Sequence, residues 1–437
     1  MQRSGKTRVP RAFSALFLFG LVLLISGNAH AQLRGHDGPV RSLAISADGK
    51  EALSGGFDTA AIRWSLSKNA AEQVMRFHEG AVNAVAILPD GRLVTAGEDA
   101  KIALWKPGEA QPSQVFEGHT APVVSVAVSP DGTSIASASW DRTVRVWLLA
   151  GGAPRVLEGH RQNVNGVAFM PDGKSLVSAG YDATVRIWPL SGDGSPTVVT
   201  LASPLNAVVV TPRGEILAGG ADGKVHFLSP KGENGGAVEI GPSPIIGLAV
   251  SPDGKRAAAA TIRGAVGIVD VARRKLAVTL VGPGLPVWSA AFAPDNRTLY
   301  TGGADRLIRR WDAGKGEPIG SVSMGGPEDP LAAYAGDHGA EVFRACVACH
   351  ALKPNEGPRA GPSLSGIFGR KIASLPGYNF TPALKKLDIV WTPETVSKLF
   401  EVGPAEFTPG TKMPEQKIGK EDRDALVEFL KKATASR

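Results

Sequence analysis

Residues 118–147, GHTAPVVSVAVSPDGTSIASASWDRTVRVW, decide the fold of most of this chain. Residues 123–128 and 134–138 alternate larger apolar with small side chains, and Asp131-Gly132 lies between the two runs. Alternating runs on either side of Asp-Gly are typical of a β-hairpin, because glycine tolerates the positive φ of a hairpin turn. The stretch therefore predicts antiparallel strands joined by tight turns.

The same pattern recurs along the chain with a period of 40 to 42 residues. The turn dipeptides are Asp48-Gly49, Asp90-Gly91, Asp131-Gly132, Asp172-Gly173, Arg213-Gly214, Asp253-Gly254 and Asp295-Asn296. In five repeats a tryptophan also follows an aspartate by six residues, at Trp64, Trp105, Trp147, Trp188 and Trp311. A period of this length predicts seven units of four short strands between about residues 32 and 324.

These repeats resemble the WD40 family, both at residues 118–147 and at residues 159–188, GHRQNVNGVAFMPDGKSLVSAGYDATVRIW. The resemblance implies an all-β seven-bladed propeller in which each blade is a four-stranded antiparallel sheet. Closure into a ring protects the edges that such sheets would otherwise expose. Residues 317–322 resemble a strand more closely than the few residues before Gly35, so we expect the C-terminal side to complete the last blade.

The resemblance also implies a structural role for four histidines, His36, His78, His119 and His160. Each would meet the aspartate 21 or 22 residues later, together with a hydroxyl group and the tryptophan, since a buried imidazole needs partners for both nitrogens. We do not expect a metal-binding ring from histidines distributed one per blade. The last three repeats lack this histidine, which leaves Asp222 and Asp305 without a predicted imidazole partner. The departure of these three repeats from the pattern indicates either drift of the repeat or a surface for a specific partner.

Composition and charge narrow the class of protein. Glycine (53) and proline (32) are too frequent for a helical bundle, and 43% hydrophobic residues exclude an intrinsically disordered chain. The net charge is +7, but four of the positive charges precede an apolar run at residues 12–26 and Ala29-His30-Ala31. This order predicts a cleaved secretory signal and a periplasmic protein, with a retained membrane anchor as the alternative. A mature chain of charge +3 does not predict a nucleic acid partner.

The last hundred residues contain both cysteines of the chain. Cys346-Val347-Ala348-Cys349-His350 fits the C-x-x-C-H motif of c-type haem attachment. Cysteines one helical turn apart can form thioethers with the two haem vinyl groups, and His350 on the same face can ligate the iron. A thioredoxin-like pair would instead open a helix, and a zinc site would need further ligands. The motif therefore predicts one covalently attached haem c.

Met413 is the predicted sixth ligand of the iron. It is the only methionine after the motif, and the prolines and glycine of Pro409-Gly410-Thr411-Lys412-Met413-Pro414 predict a stiff loop suited to presenting a thioether. The amine of Lys412 is a weaker alternative, because it would have to lose a proton before it could bind iron.

From about residue 337 onward the chain resembles the mitochondrial-type class I cytochrome c family, which has an all-α fold. The matching stretches are GPSLSGIFGRKIASLPGYNFTPALKK (361–386), IVWTPETV (389–396) and PGTKMP (409–414). The resemblance implies that Pro362 accepts a hydrogen bond from His350 and that Thr411 supports the Met413 loop. It also implies that Arg370 and Trp391 hold a haem propionate. Where the family has a tyrosine and an asparagine, this chain has Phe380 and Leu384, and we expect an altered reduction potential.

Four segments are predicted: a signal peptide (1–31), a propeller (32–324), a linker (325–336) and a cytochrome c domain (337–437). An iron ligated by histidine and methionine has no open site and exchanges single electrons. We expect an electron carrier that the propeller docks on a redox protein or on a respiratory or dehydrogenase complex. The alternatives are a self-contained oxidoreductase with substrate at the propeller's central channel, and an interaction protein whose haem senses redox state. The repeats contain no nucleophile–base set, so no catalytic residue is predicted.

Overall fold

The structure is a computed structural model that describes residues 1–2, 32–192, 194–282, 284–320, 331–344, 346–347, 350–353, 361–376, 378, 380–411, 413 and 418–435. The predicted signal peptide lies almost entirely outside these residues, and so does the first half of the predicted linker, residues 325–330. Within the described residues, no helix combines the length and apolar character needed to cross a membrane.

Seven antiparallel sheets form the first part of the chain, and they are numbered here as blades 1 to 7. Blades 1 to 3 contain β2 (Val40–Ile45), β3 (Glu51–Gly56), β4 (Ala60–Ser65) and β5 (Ala70–Arg76); β6 (Val82–Ile87), β7 (Leu93–Gly97), β8 (Ile102–Trp105) and β9 (Gln114–Phe116); and β10 (Val123–Val128), β11 (Ser134–Ser139), β12 (Val144–Leu148) and β13 (Arg155–Leu157). Blades 4 to 6 contain β14 (Val164–Phe169), β15 (Ser175–Gly180), β16 (Thr184–Pro189) and β17 (Thr197–Thr200); β18 (Leu205–Val210), β19 (Ile216–Gly220), β20 (Lys224–Leu228) and β21 (Asn234–Glu239); and β22 (Ile245–Val250), β23 (Arg256–Thr261), β24 (Ala265–Asp270) and β25 (Lys275–Val281).

Blade 7 joins the two ends of the propeller. It contains β26 (Val287–Phe292), β27 (Thr298–Gly303), β28 (Leu307–Asp312), the N-terminal β1 (Gln32–Arg34) and the short β29 (Glu317–Pro318). The first strand of each blade contacts the first strand of its neighbours, and β2 contacts β26, so the ring is closed. The predicted seven-bladed propeller is confirmed.

The N-terminal strand, rather than the C-terminal one, supplies most of the outer edge of blade 7. β1 pairs with β28 along all three of its residues, whereas β29 pairs with β28 along only two. Leu33 of β1 is 4% exposed and packs in a cluster that includes Trp64 of blade 1. The expectation of closure from the C-terminal side is therefore wrong for most of this edge. A single well-buried leucine anchors a strand that is too short to show a sequence pattern.

The hydrogen-bonded clusters predicted from the repeats are present in blades 1 to 4. In blade 3, His119 Nδ1 lies 2.7 Å from Asp141 Oδ2, and His119 Nε2 lies 2.7 Å from Ser137 Oγ. The indole N–H of Trp147 donates to the same Ser137 oxygen at 2.8 Å. Blades 1, 2 and 4 repeat this arrangement around His36, His78 and His160. These histidines connect the strands of the scaffold.

The two aspartates that were expected to lack an imidazole partner both have partners four residues further along the chain. His226 Nε2 lies 3.1 Å from Asp222 Oδ2 in blade 5, which corrects the expectation for this aspartate. In blade 7 the guanidinium of Arg309 donates to Asp305 at 2.7 Å. A cation or imidazole from the following strand thus replaces the missing histidine.

The C-terminal part is helical, as predicted. It contains α1 (His338–Phe343), α2 (Pro393–Val402), α3 (Pro404–Phe407) and α4 (Lys420–Ala433), with 3₁₀ turns at Ala332–Tyr334 and Leu384–Lys386. α4 packs across α1, with the rings of Phe343 and Phe429 5.4 Å apart. Gly339 permits this approach, because a Cβ there would lie only 2.6 Å from Cβ of Phe429. Thr392 caps the N-terminus of α2, where its hydroxyl accepts a hydrogen bond from Thr395 N–H.

Candidate functional site

The attachment motif follows the end of α1 rather than lying within a long helix. α1 ends at Phe343, earlier than the helical periodicity predicts. Helical hydrogen bonds nevertheless continue from Val347 N–H to Phe343 O at 3.3 Å and from His350 N–H to Cys346 O at 2.9 Å. These bonds preserve the spacing of one helical turn between Cys346 and His350.

Only one of the two predicted attachment cysteines can be placed. Cys346 is 8% exposed, and burial raises the pKa of its thiol to about 12. Cys349 lies outside the described residues. A neutral, buried thiol beside an apolar wall behaves as a small hydrophobic group, so Cys346 contributes to the core of this domain as well as to the predicted site.

His350 is oriented by the backbone of a neighbouring loop. Its Nδ1 lies 2.8 Å from the carbonyl oxygen of Pro362. A carbonyl can only accept, so Nδ1 carries the proton and Nε2 is the nitrogen suited to ligate a metal. A hydrogen bond of this kind fixes both the tautomer and the direction of a ligating imidazole.

The Met413 loop is held by the neighbouring threonine. The hydroxyl oxygen of Thr411 accepts a hydrogen bond from the backbone N–H of Met413 at 3.1 Å. The thioether side chain is partly buried and packs against the apolar core of the helical domain. The alternative ligand, Lys412, lies outside the described residues.

Arg370 and Trp391 lie side by side on paired backbone segments. Trp391 N–H donates to Arg370 O at 2.9 Å, and Gly369 N–H donates to Trp391 O at 2.8 Å. The Arg370 guanidinium donates to the carbonyl oxygens of Ser363 (2.6 Å) and Ser365 (3.2 Å). Burial lowers the pKa of Arg370 from its ordinary value. A desolvated cation whose described partners are neutral carbonyls suits a site that receives an anion.

One cavity of about 280 Å³ brings together every described residue of the predicted site. Its lining includes Cys346, His350, Pro362, Arg370, Trp391, Thr411 and Met413. Phenylalanine, leucine and valine side chains from α1, α2 and α4 form much of the remaining wall. These residues fit a haem: the apolar wall suits the porphyrin, the imidazole and thioether suit iron, and the guanidinium suits a propionate.

The two substituted positions of the haem-binding stretch face the same cavity. Phe380 and Leu384 both line it, and the ring of Phe380 contacts Tyr378 with centroids 4.6 Å apart. Neither side chain offers a hydrogen-bond donor. This wall of the cavity is therefore drier and less polar than a tyrosine and an asparagine would make it.

The propeller contributes a further wall that sequence reasoning missed. In every blade, the register between the first and second strands shifts by one residue. The second residue of the first strand is therefore bulged out of the pairing. The seven bulged residues form what we call the channel-mouth ring: Arg41, Asn83, Val124, Asn165, Asn206, Ile246 and Trp288. All seven line the cavity that contains His350 and Met413. In blades 1 to 4 they lie five residues after the repeat histidine, a spacing that could have identified them.

Comparison with known proteins matches both parts of the chain. The WD domain, G-beta repeat model matches residues 27–65, 71–106, 110–147, 152–189 and 274–312, and the cytochrome c model matches residues 336–434. Cytochrome c of Cochliobolus lunatus is 42% identical over 98 residues, which are 22% of this chain and 90% of the relative. Cytochrome c of Arabidopsis thaliana is 42% identical over 98 residues, which are 22% of this chain and 87% of the relative. Cytochrome c-550 of Ancylobacter novellus is 40% identical over 97 residues, which are 21% of this chain and 90% of the relative. Both resemblances stated from the sequence are confirmed.

Proposed function

We propose a function from one premise: the chain belongs to the cytochrome c family through its C-terminal domain, which follows a seven-bladed WD40 propeller. This family indicates electron transport through a covalently bound haem. We propose specifically that the protein carries single electrons through one haem c, attached at Cys346 and Cys349 and ligated by His350 and Met413.

The observation that carries this proposal is the convergence of Cys346, His350 and Met413 on one largely apolar cavity. A haem bound there would supply one-electron exchange, and His350 and Met413 would be the residues that ligate its iron. The contact with the Pro362 carbonyl directs the imidazole of His350, and the bond to Thr411 restrains the loop that carries Met413. The apolar walls exclude water, which favours the less charged, reduced state of the site.

Export to the periplasm is the second part of the proposal. The basic segment before residue 12, the apolar run at residues 12–26 and Ala29-His30-Ala31 support a cleaved signal over residues 1–31. An oxidising compartment would convert two bare thiols at this spacing into a disulfide, and thioether bonds to a haem prevent that outcome.

The propeller is proposed as the docking scaffold for a redox partner, a soluble protein or a respiratory or dehydrogenase complex. Its described polar clusters connect strands: a hydroxyl such as that of Ser137 contacts His119, but it is fully buried and also accepts from the indole of Trp147, so it is not placed to attack a substrate. Residues 337–437 contain 15 lysines and arginines against 12 aspartates and glutamates, so the cytochrome domain is not strongly basic. Docking would then depend on the propeller's surface more than on long-range attraction.

A second candidate function is favoured by the shared cavity. Because the channel-mouth ring lines the cavity of His350 and Met413, a substrate at the propeller channel could reduce the haem directly. Incubation of the purified, fully oxidised protein with small-molecule donors, without added dehydrogenase, distinguishes the two functions. Rapid substrate-dependent reduction would support the oxidoreductase, and reduction that requires a protein donor supports the carrier.

The carrier function is tested by reductive titration of the exported, purified protein. We expect one electron per chain and a low-spin haem spectrum. His350→Ala should abolish that spectrum, whereas His338→Ala, an exposed histidine paired with Asp422, should leave it unchanged. Uptake of two or more electrons per chain, or none, would contradict the proposal.

A further inference from the structure

Two arginine–tryptophan pairs line the haem cavity, one from each part of the protein. The helical domain supplies Arg370 and Trp391, which lie on paired backbone segments. The channel-mouth ring supplies Arg41 and Trp288, with the guanidinium carbon 5.2 Å from the centroid of the indole ring. Trp288 also makes an edge-on contact with Phe57, at 5.7 Å between centroids, which restrains its ring. The propeller thus presents a charged and a neutral donor at fixed positions.

The indole nitrogen of Trp288 indicates a ligand. Nε1 of Trp288 is buried, and it has no hydrogen-bond acceptor among the described residues. Trp140, which lines the same cavity, differs in this respect, since its Nε1 donates to Asn165 Oδ1 at 3.1 Å. A buried donor left without an acceptor destabilises the folded protein. The Trp288 N–H is therefore suited to a group that enters the cavity and accepts a hydrogen bond.

The charges of the cavity favour an anionic group. Besides His350, the residues with charged side chains that line it are Arg41, Arg370, Lys371 and Glu98. Lys371 is already paired with Asp388 at 2.8 Å. Positive groups thus outnumber negative ones along the cavity lining, and an anion that enters this partly desolvated space would balance the excess.

We propose that Arg41 and Trp288 of the propeller bind one propionate of the haem, while Arg370 and Trp391 bind the other. This inference rests on the proposed function, because it requires the haem. A guanidinium and a neutral N–H together match the two oxygens of a carboxylate. The propeller donors would also replace those that Phe380 and Leu384 do not provide.

The propeller then sets the reduction potential as well as the docking of the protein. A positive charge and a hydrogen-bond donor beside a propionate reduce its negative potential at the iron, which favours the reduced haem. Loss of either group favours the oxidised haem.

Redox titration of the full-length haem protein tests the inference. Arg41→Gln should lower the equilibrium constant for haem reduction about three- to tenfold, which is a fall of about 30 to 60 mV at 59 mV per tenfold. Arg41→Lys should restore part of this fall. Trp288→Phe should lower the potential by a smaller amount, and Glu98→Gln should raise it.

Two matched variants serve as controls. Arg213→Gln removes an exposed arginine in the turn that follows β18, at the opposite end of that strand from Asn206 of the ring. Trp311→Phe removes an indole N–H outside the cavity lining, whose acceptor is the side chain of Thr301. Neither should shift the potential, and an unchanged low-spin spectrum in every variant shows that iron ligation is intact.

The inference is overturned if Arg41→Gln and Trp288→Phe have the potentials of their controls. If Arg41→Gln does not fold, the other two variants test the inference. Trp288→Phe should lower the reduction potential and Glu98→Gln should raise it, and the absence of both shifts overturns the inference. A purified protein without covalent haem would overturn the proposed function together with this inference. Attached haem with unchanged potentials overturns only the inference.

Discussion

The hydroxyl of Thr411 accepts a hydrogen bond from the backbone N–H of Met413 at 3.1 Å. This bond restrains the loop that presents the thioether to the cavity. A methionine needed only to fill the core would be replaceable by leucine at small cost, since the two side chains have similar volumes. A methionine that ligates iron would not.

Met413→Leu should therefore leave the haem attached, open the sixth coordination position and lower the reduction potential. Absorption spectra and redox titration measure both effects. Met170→Leu, at a buried methionine of the propeller, is the matched control and should change neither. An unaltered spectrum and potential in Met413→Leu would refute the ligand assignment.

Ser137→Ala should destabilise the propeller by about 2–3 kcal/mol, because it removes one oxygen that serves two buried groups. His119 Nε2 and Trp147 Nε1 both contact this oxygen. Denaturant unfolding followed by circular dichroism measures the loss. The exposed Ser195→Ala is the control, and equal stability of the two variants would show that the cluster contributes little.

Acid should destabilise blades 3 and 4 through their aspartates. Burial by itself would raise the pKa of Asp141, but the hydrogen bond and charge of His119 and the bonds from Thr143 outweigh it and hold the pKa below its ordinary value. The same balance lowers the pKa of Asp182 beside His160. A carboxylate with a lowered folded-state pKa contributes stability above its unfolded pKa, and that stability is lost as the pH falls from about 4 towards the folded value.

The thermal midpoint of the propeller should accordingly decline below about pH 4. It should decline less steeply in Asp141→Asn, which is less stable at neutral pH, than in the exposed Asp172→Asn control. Parallel pH profiles for the two variants would show that Asp141 does not contribute to the acid sensitivity.

Leu33→Ala should destabilise the closure of the ring by about 2–4 kcal/mol, in the range for a buried leucine. Leu33 belongs to β1, which joins the N-terminal segment to blade 7, and it is 4% exposed. Leu276→Ala, at a leucine that is 39% exposed, should cost much less. Equal losses of unfolding free energy in the two variants would mean that β1 does not hold the ring closed.

Much of the fold follows from local sequence patterns. Asp131-Gly132 and its equivalents specify hairpins, and Trp147 and its equivalents mark the third strand of a blade, so the seven-bladed architecture was predictable. The closure of the ring was not, because three residues of β1 carry no periodicity and their pairing depends on a strand nearly 280 residues away. The partners of Asp222 and Asp305 were missed because His226 and Arg309 follow their aspartates by four residues, whereas the repeat histidine precedes its aspartate by 21 or 22.

The residues of the cytochrome domain that form the candidate site were predicted from the sequence, whereas those of the propeller were not. The spacing of the cysteines and the histidine in C-x-x-C-H predicts haem attachment. Met413 is the only methionine that follows this motif in the sequence. The contribution of Arg41 and Trp288 was not predicted, because they belong to a different part of the chain and line the cavity only through the curvature of the propeller. The spacing of five residues after the repeat histidine could have identified Arg41, but Trp288 belongs to a blade that lacks this histidine.

The central claim is that the cytochrome domain holds a haem by covalent bonds at Cys346 and Cys349. Mass spectrometry of the exported, purified protein after digestion tests it most directly. The account predicts that the peptide containing both thiols carries the added mass of one haem. The same peptide with two free thiols, or with a disulfide between them, would contradict it.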